Sequence, residues 1–362
     1  MNIRKPTLLL DETKVQANIE FMIQKSRRLG VQLAPHFKTH QSRKIGGWYK
    51  EAGITEATVS SVTMAKYFAP DWKKITIVFP INILEIEEID SLAGSISLTI
   101  LVNSIEAVDA ISKINNPVSC YIEIDTGYHR TGIQSGELSK IEEIIDSIQQ
   151  CHHEFRGFYL HSGNTYSCHS SECIKEIHDH AITELAKLKN NFSKFNPEIS
   201  LGDTPSCSTQ ENFQGIDTIR PGNFVFYDLT QQSIGSCGEH QIAISLAAPV
   251  VYKSSERHEV VVYAGGVHLS KDRLETSDGT IYGKMIWIEN DKWSDSIDGC
   301  FVKSISQEHG TLKVTEAIFN KIKIGDVIGI LPVHSCMLAD SIGGYQTFKG
   351  ELVDHASGLK FE

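Results

Sequence analysis

Between residue 7 and about residue 220 the chain alternates short apolar runs of β character with longer amphipathic stretches. Segments 7–10, 31–37, 57–60, 75–79, 98–102, 118–124, 155–160 and 198–201 read as strands. After the first of these, Asp11 is placed to cap a helix in which Val15, Ile19, Met22 and Ile23 recur at helical spacing, ending at Gly30. Helical periodicity returns at 43–52, 83–92, 106–114, 137–148 and 172–188. Strand–helix units of about 20–40 residues call for parallel pairing with crossover helices, and eight of them close into a (β/α)8 TIM-type barrel. An open, doubly wound sheet is the alternative.

The pattern changes near Gly235. Segments 242–251, 259–264, 284–287, 312–314 and 327–331 are β-type, with little helical spacing between them. The expected organisation is an α/β barrel domain at 11–236 and a C-terminal β domain at 237–362, with residues 235–238 as the link. The N-terminal strand, within residues 1–10, is expected to join the β domain.

Charge narrows the partners. With 34 Lys and Arg against 45 Asp and Glu, the net charge of −11 recommends neither a nucleic acid nor an anionic membrane. The longest apolar run, at 75–83, falls well short of the roughly 18–20 residues that span a bilayer. Asp11 and Glu12 interrupt the apolar run at 8–10, so no secretory leader is expected. Eight cysteines in 362 residues do not make a small disulfide scaffold; reduced thiols in a cytoplasm are expected, one or two of them acting as ligands.

Four segments carry candidate chemistry. In Pro35-His36-Phe37-Lys38-Thr39-His40 a lysine stands between two histidines at a strand end. The carboxyl ends of barrel strands form the active site, and a lysine with a depressed pKa there can form a Schiff base with a carbonyl. A lysine that merely solvates a loop is the plain alternative. In Leu201-Gly202-Asp203-Thr204-Pro205-Ser206, Thr204 reads as an N-cap and Pro205 as the first helical residue, leaving backbone N–H groups free for a phosphate. Arg220-Pro221-Gly222-Asn223, ahead of Tyr227, follows it. Glu123-Ile124-Asp125-Thr126-Gly127-Tyr128-His129-Arg130 is an acidic strand end leading to a cation, either a salt-bridged turn or an arginine polarising a bound oxygen. In His334-Ser335-Cys336, after a β run, an extended backbone would point both side chains to one face, and nitrogen–sulfur ligation suits Zn²⁺. Chance supplies about 0.3 His-x-Cys pairs at this composition, so the spacing is weak by itself.

These segments, in this order, together with Gly157-Phe158-Tyr159-Leu160-His161-Ser162-Gly163-Asn164-Thr165-Tyr166 and Glu308-His309-Gly310, resemble the fold-type III, alanine racemase-like enzymes that use pyridoxal 5′-phosphate. More narrowly, the chain is similar to the metal-dependent D-threonine aldolase and D-serine dehydratase group. The resemblance implies a barrel with the cofactor at its mouth, a C-terminal β domain and a homodimer. It implies that Lys38 carries the cofactor and that Arg130 and Tyr166 lie near its ring. Gly202, Thr204, Gly222, Asn223 and Tyr227 would hold the phosphate. His334 and Cys336 would hold a divalent metal, zinc by preference, with Glu308 and His309 as outer partners. The implied activity is that of a lyase on a D-3-hydroxy amino acid, and the thiol at Cys336 resembles the dehydratase branch. A racemase or epimerase is the second reading, and a non-enzymatic pyridoxal-phosphate protein the third.

Overall fold

The computed structural model describes residues 2–358. Its apolar β runs pair in parallel into one nine-stranded sheet, eight strands of it in one path and the ninth, Ile133–Gln134, paired off that path with Ser119–Asp125. The order is Gln32–Leu33, Thr218–Ile219, Glu198–Gly202, Glu154–His161, Ser119–Asp125, Ser97–Leu101, Lys74–Pro80 and Ala57–Val59. A parallel bridge between His36 and Thr58 joins the two edge strands, so the sheet closes into the expected barrel. Alternation along the strands separates two environments. Ile75, Ile77, Leu98, Ile100, Ile122, Phe158 and Leu160 lie in the main apolar core. On the other register, Tyr121, Thr99, Thr58 and Ser200 are linked across the barrel by Arg156 and Arg220. The barrel interior is therefore polar and holds a charged cluster.

The segment at 31–37 forms a regular strand only at Gln32–Leu33. Pro35 has no N–H, and the following amides split between two neighbours: His36 N–H donates to the Pro221 carbonyl and Phe37 N–H to that of Thr58. A helix at Val62–Phe68, capped by Ser61, falls in a stretch without marked periodicity. The long helix Ser171–Asn191 begins at its Ser170 cap, which turns Cys173 back over Cys168. Those two sulfurs are bonded, against the expectation of reduced thiols throughout.

The second sheet has nine strands, mostly antiparallel, with Ile244–Ser254 near its centre. Thr7–Leu10 pairs with it from Thr7 opposite Ala247 to Leu10 opposite Ile244, so the N-terminal strand leaves the barrel sheet. Helices are present here too, including Gly266–Leu269 and Ser335–Ile342. Among the described residues no helix is long and apolar enough to cross a membrane.

Candidate active site

The carboxyl ends of the barrel strands and the strand end at Val327–Pro332 enclose a cavity of about 560 Å³. Lys38, Arg130, Tyr166, Gly222, Asn223, His334 and Cys336 all line it. Lys38 is held there because Phe37 packs on the opposite side against Tyr49, Phe68 and Trp72. Among the described residues its ammonium has no hydrogen-bond partner. Burial lowers the Lys38 pKa, the Cys336 sulfur opposes that, and Arg130 adds to it. Burial and the neighbouring Lys38 charge hold His36 and His161 far below the usual imidazole range, His161 at about 3. Both rings are neutral near pH 7, and His161 Nδ1 donates to the Gly202 carbonyl at 2.6 Å.

Arg130 sits on a loop wound around one carboxylate. Asp125 accepts from the backbone N–H groups of Gly127, Tyr128 and His129 at 2.9–3.1 Å. The left-handed backbone at Gly127 and Gly132 gives the loop its turn. The Arg130 guanidinium lies 5.0 Å from the Tyr128 ring centre. A side chain at Gly163 would overlap that ring, its Cβ falling 2.2 Å from it.

The Gly202–Ser206 segment differs from expectation in one respect. Asp203, not Thr204, is the N-cap: its carboxylate accepts from Ser206 N–H, and Thr204 is the first helical residue. Thr204 has the opposite orientation to that of a cap, its N–H donating to the Tyr166 hydroxyl at 3.2 Å and its Oγ1 accepting from Asn223 N–H at 3.1 Å. Tyr227 is fully buried, with its hydroxyl on Ser208, and is not among the cavity-lining residues. Gly202 and Thr204 are not among the cavity-lining residues either, whereas Asp203 is.

His334 and Cys336 meet, but not by strand alternation. His334 is the extended N-cap of Ser335–Ile342 and Cys336 lies in that helix's first turn. Cys336 Sγ is 3.2 Å from Thr39 Oγ1, which brings the residue next to Lys38 into contact with this pair across 297 positions. The outer partner is Asp272, whose carboxylate accepts from His334 Nδ1 at 3.2 Å. Glu308, expected in that role, pairs with His268 instead. Burial opposes the His334 charge, but hydrogen bonds to Asp272 and Cys336 raise its pKa to about 11. Burial alone would raise the Cys336 thiol, and His334 lowers it. Among the described residues no group of three or more His, Cys, Asp or Glu side chains is disposed around one metal position.

Sequence reasoning missed Arg220 as a wall residue and the cluster that fixes it. Its side chain is fully buried, bonded to Ser200, Thr58 and Glu56 at 2.7–2.8 Å. Its place beside Gly222 was the available signal. Asp272 and Arg273, 62 and 61 positions from His334, had none.

The alanine racemase N-terminal domain model matches residues 10–229, more than half of the chain. This chain belongs to the alanine racemase-like enzymes of fold type III. A second model, described as a putative serine dehydratase domain, matches residues 243–348. A D-serine dehydratase of Dictyostelium discoideum is 29% identical, with 97% of this chain and 94% of that protein aligned. A D-threo-3-hydroxyaspartate dehydratase from Delftia sp. HT23 is 24% identical, and its solved structure superposes with a TM-score of 0.90 over 98% of both chains. D-threonine aldolase from Filomicrobium marinum superposes at 0.83, with 17% identity, over 99% of this chain and 98% of its own. Similar solved structures of a D-threo-3-hydroxyaspartate dehydratase include a histidine-to-alanine variant and a metal-free cysteine-to-alanine variant, at positions two residues apart.

The residues present fit the cofactor of this family. A Cβ at Gly222 would stand 2.9 Å from the His36 carbonyl oxygen, so glycine is needed for this segment to pack against the residues flanking Lys38. Asp203 and Asn223 line the cavity, and Asp203 Oδ2 and Asn223 Oδ1 are buried without hydrogen-bond partners among the described residues, acceptors that suit a donor N–H or O–H of a bound group. Buried polar atoms of this kind are rare without a bound group or water. The soft nitrogen–sulfur pair at His334 and Cys336 fits a divalent ion of the zinc type, with positions left for substrate.

Proposed function

We propose that this chain is a pyridoxal 5′-phosphate- and metal-dependent dehydratase of a D-3-hydroxy amino acid, releasing a keto acid and ammonia. The single observation that carries the reading is the contact between Thr39 and Cys336. It sets the candidate proton-transfer group, Lys38, and the candidate metal ligands on one cavity.

Lys38, Gly222, Asn223 and the segment around Thr204 would hold the cofactor, and His334 and Cys336 the metal. Bound there, the cofactor would supply an electron sink for Cα of an amino acid, and the metal would supply a Lewis acid for the C3 hydroxyl. Lys38 Nζ, with its pKa lowered by burial, takes the Cα proton. The Cα–H electrons form the Cα–C3 double bond as hydroxide leaves C3. Tautomerisation and addition of water then release the keto acid and ammonia. Neutral His36 and His161 leave Lys38 as the basic group of this wall, and Asp272 orients His334.

The same reading makes zinc the metal, the cytoplasm the location and a homodimer the working form. Phe79, 57% exposed on the cavity rim, and the exposed Ile83 and Leu84 support a covered face there. The test is a screen of D-serine, D-threo-3-hydroxyaspartate, D-threonine and D-alanine, with and without chelator. Keto acid lost on chelation is expected; aldehyde with glycine would indicate an aldolase, and the L-enantiomer a racemase.

A further inference from the structure

The cavity wall at the His334–Cys336 end carries a cation that the mechanism does not use. After Gly266–Leu269 the chain turns at Ser270, whose hydroxyl binds both the carboxylate and the backbone N–H of Asp272. Asp272 in turn binds His334, so this loop is fastened to the candidate metal ligand and sets Arg273 beside it on the wall. Among the described residues the Arg273 guanidinium has one carboxylate neighbour, Glu275, at 3.5 Å, with both side chains more than half exposed. Exposed pairs of this kind contribute little and exchange readily. The acids of the same wall are already committed: Asp272 to Ser270 and His334, Asp228 to Asn223, Gln231 and Ser335. Among the described residues neither is paired with Arg273, whose exposed guanidinium leaves an open fork beyond Glu275.

A substrate whose C3 hydroxyl faces His334 and Cys336 places its remaining C3 substituent at this end of the cavity. In serine that substituent is hydrogen and in threonine a methyl group; neither uses a guanidinium. A carboxylate matches its planar donor pair. We propose that Arg273 is the specificity-determining residue for a 3-hydroxy amino acid bearing a second carboxylate on C3, of the 3-hydroxyaspartate type, an inference that rests on the lyase reading.

The experiment uses the protein loaded with pyridoxal phosphate and zinc. It compares kcat/KM for D-threo-3-hydroxyaspartate and D-serine in the wild type, Arg273→Ala and Arg273→Lys. The wild type should prefer the dicarboxylate. In Arg273→Ala the ratio of the two kcat/KM values should fall about 10- to 100-fold, the range of one charge-assisted hydrogen bond, mainly through KM. Arg273→Lys should recover part of it. A wild type that prefers D-serine, or a ratio unmoved by Arg273→Ala, overturns the proposal and leaves the lyase reading standing. Keto acid from neither substrate overturns both.

Discussion

Replacing Glu56 with Gln removes one charge from the barrel interior while keeping the side chain's shape. Glu56 accepts from Thr76 at 2.7 Å, pairs with Arg220 at 2.8 Å and with Arg156 at 3.1 Å, and its side chain is 4% exposed. Burial alone would raise its pKa, but the two arginines outweigh this and lower it from 4.5 to about 2. At 1.36 kcal/mol per pH unit, that gap corresponds to about 3 kcal/mol of stability. Removing one partner of a buried ion pair costs about 3–5 kcal/mol, here because fully buried Arg220 loses its counter-charge. Glu56→Gln should therefore lower the unfolding free energy by about 3 kcal/mol in urea titrations at pH 7. Because the folded pKa lies below the unfolded one, this stabilisation is present above pH 4.5 and fades as the pH falls towards 2. The difference between wild type and variant should shrink to roughly half near pH 3. A difference below about 1 kcal/mol at pH 7, or one constant with pH, would refute the charge-pairing argument.

Gly222→Val forces a side chain against the His36 carbonyl and Thr39. It should cost about 1–3 kcal/mol of stability and weaken pyridoxal phosphate binding, followed by absorbance, more than Arg220→Lys does. The opposite order would show that side-chain charge dominates the cofactor's affinity. Borohydride treatment of the loaded protein should fix the cofactor on the peptide containing Lys38, and peptide mapping that finds it on another lysine would remove Lys38 from its role.

Much of the barrel was legible because its signal is local. Apolar runs alternating with amphipathic stretches mark strands and helices wherever burial is one-sided, as at Val15, Ile19 and Met22. The strand at 31–37 shortened because Pro35 and the closing bridge at His36 are set by tertiary pairing. Helix Ser335–Ile342 was hidden in an apolar run whose length suits either period. At the site, Lys38, Arg130, Gly222, His334 and Cys336 stood out by residue type and position. Asp203 is the cap because its carboxylate accepts from Ser206 N–H, while the Thr204 hydroxyl is taken up by Asn223 N–H. Asp272 and Arg273 have no sequence signature, since only the loop after Ser270 carries them to His334. The link between Cys168 and Cys173 depends on the Ser170 cap, and spacing alone does not reveal it.

On the proposed reading, one cavity joins proton transfer at Lys38 to a metal held by His334 and Cys336. Cys336→Ala tests it most directly, with keto acid release and the cofactor's absorbance measured on the same zinc-treated sample. The variant should bind pyridoxal phosphate with an unchanged spectrum, hold less zinc, and lose most keto acid formation from D-threo-3-hydroxyaspartate or D-serine. A Cys336→Ala protein that retains full keto acid formation after exhaustive chelation would exclude a metal at His334 and Cys336 from the reaction.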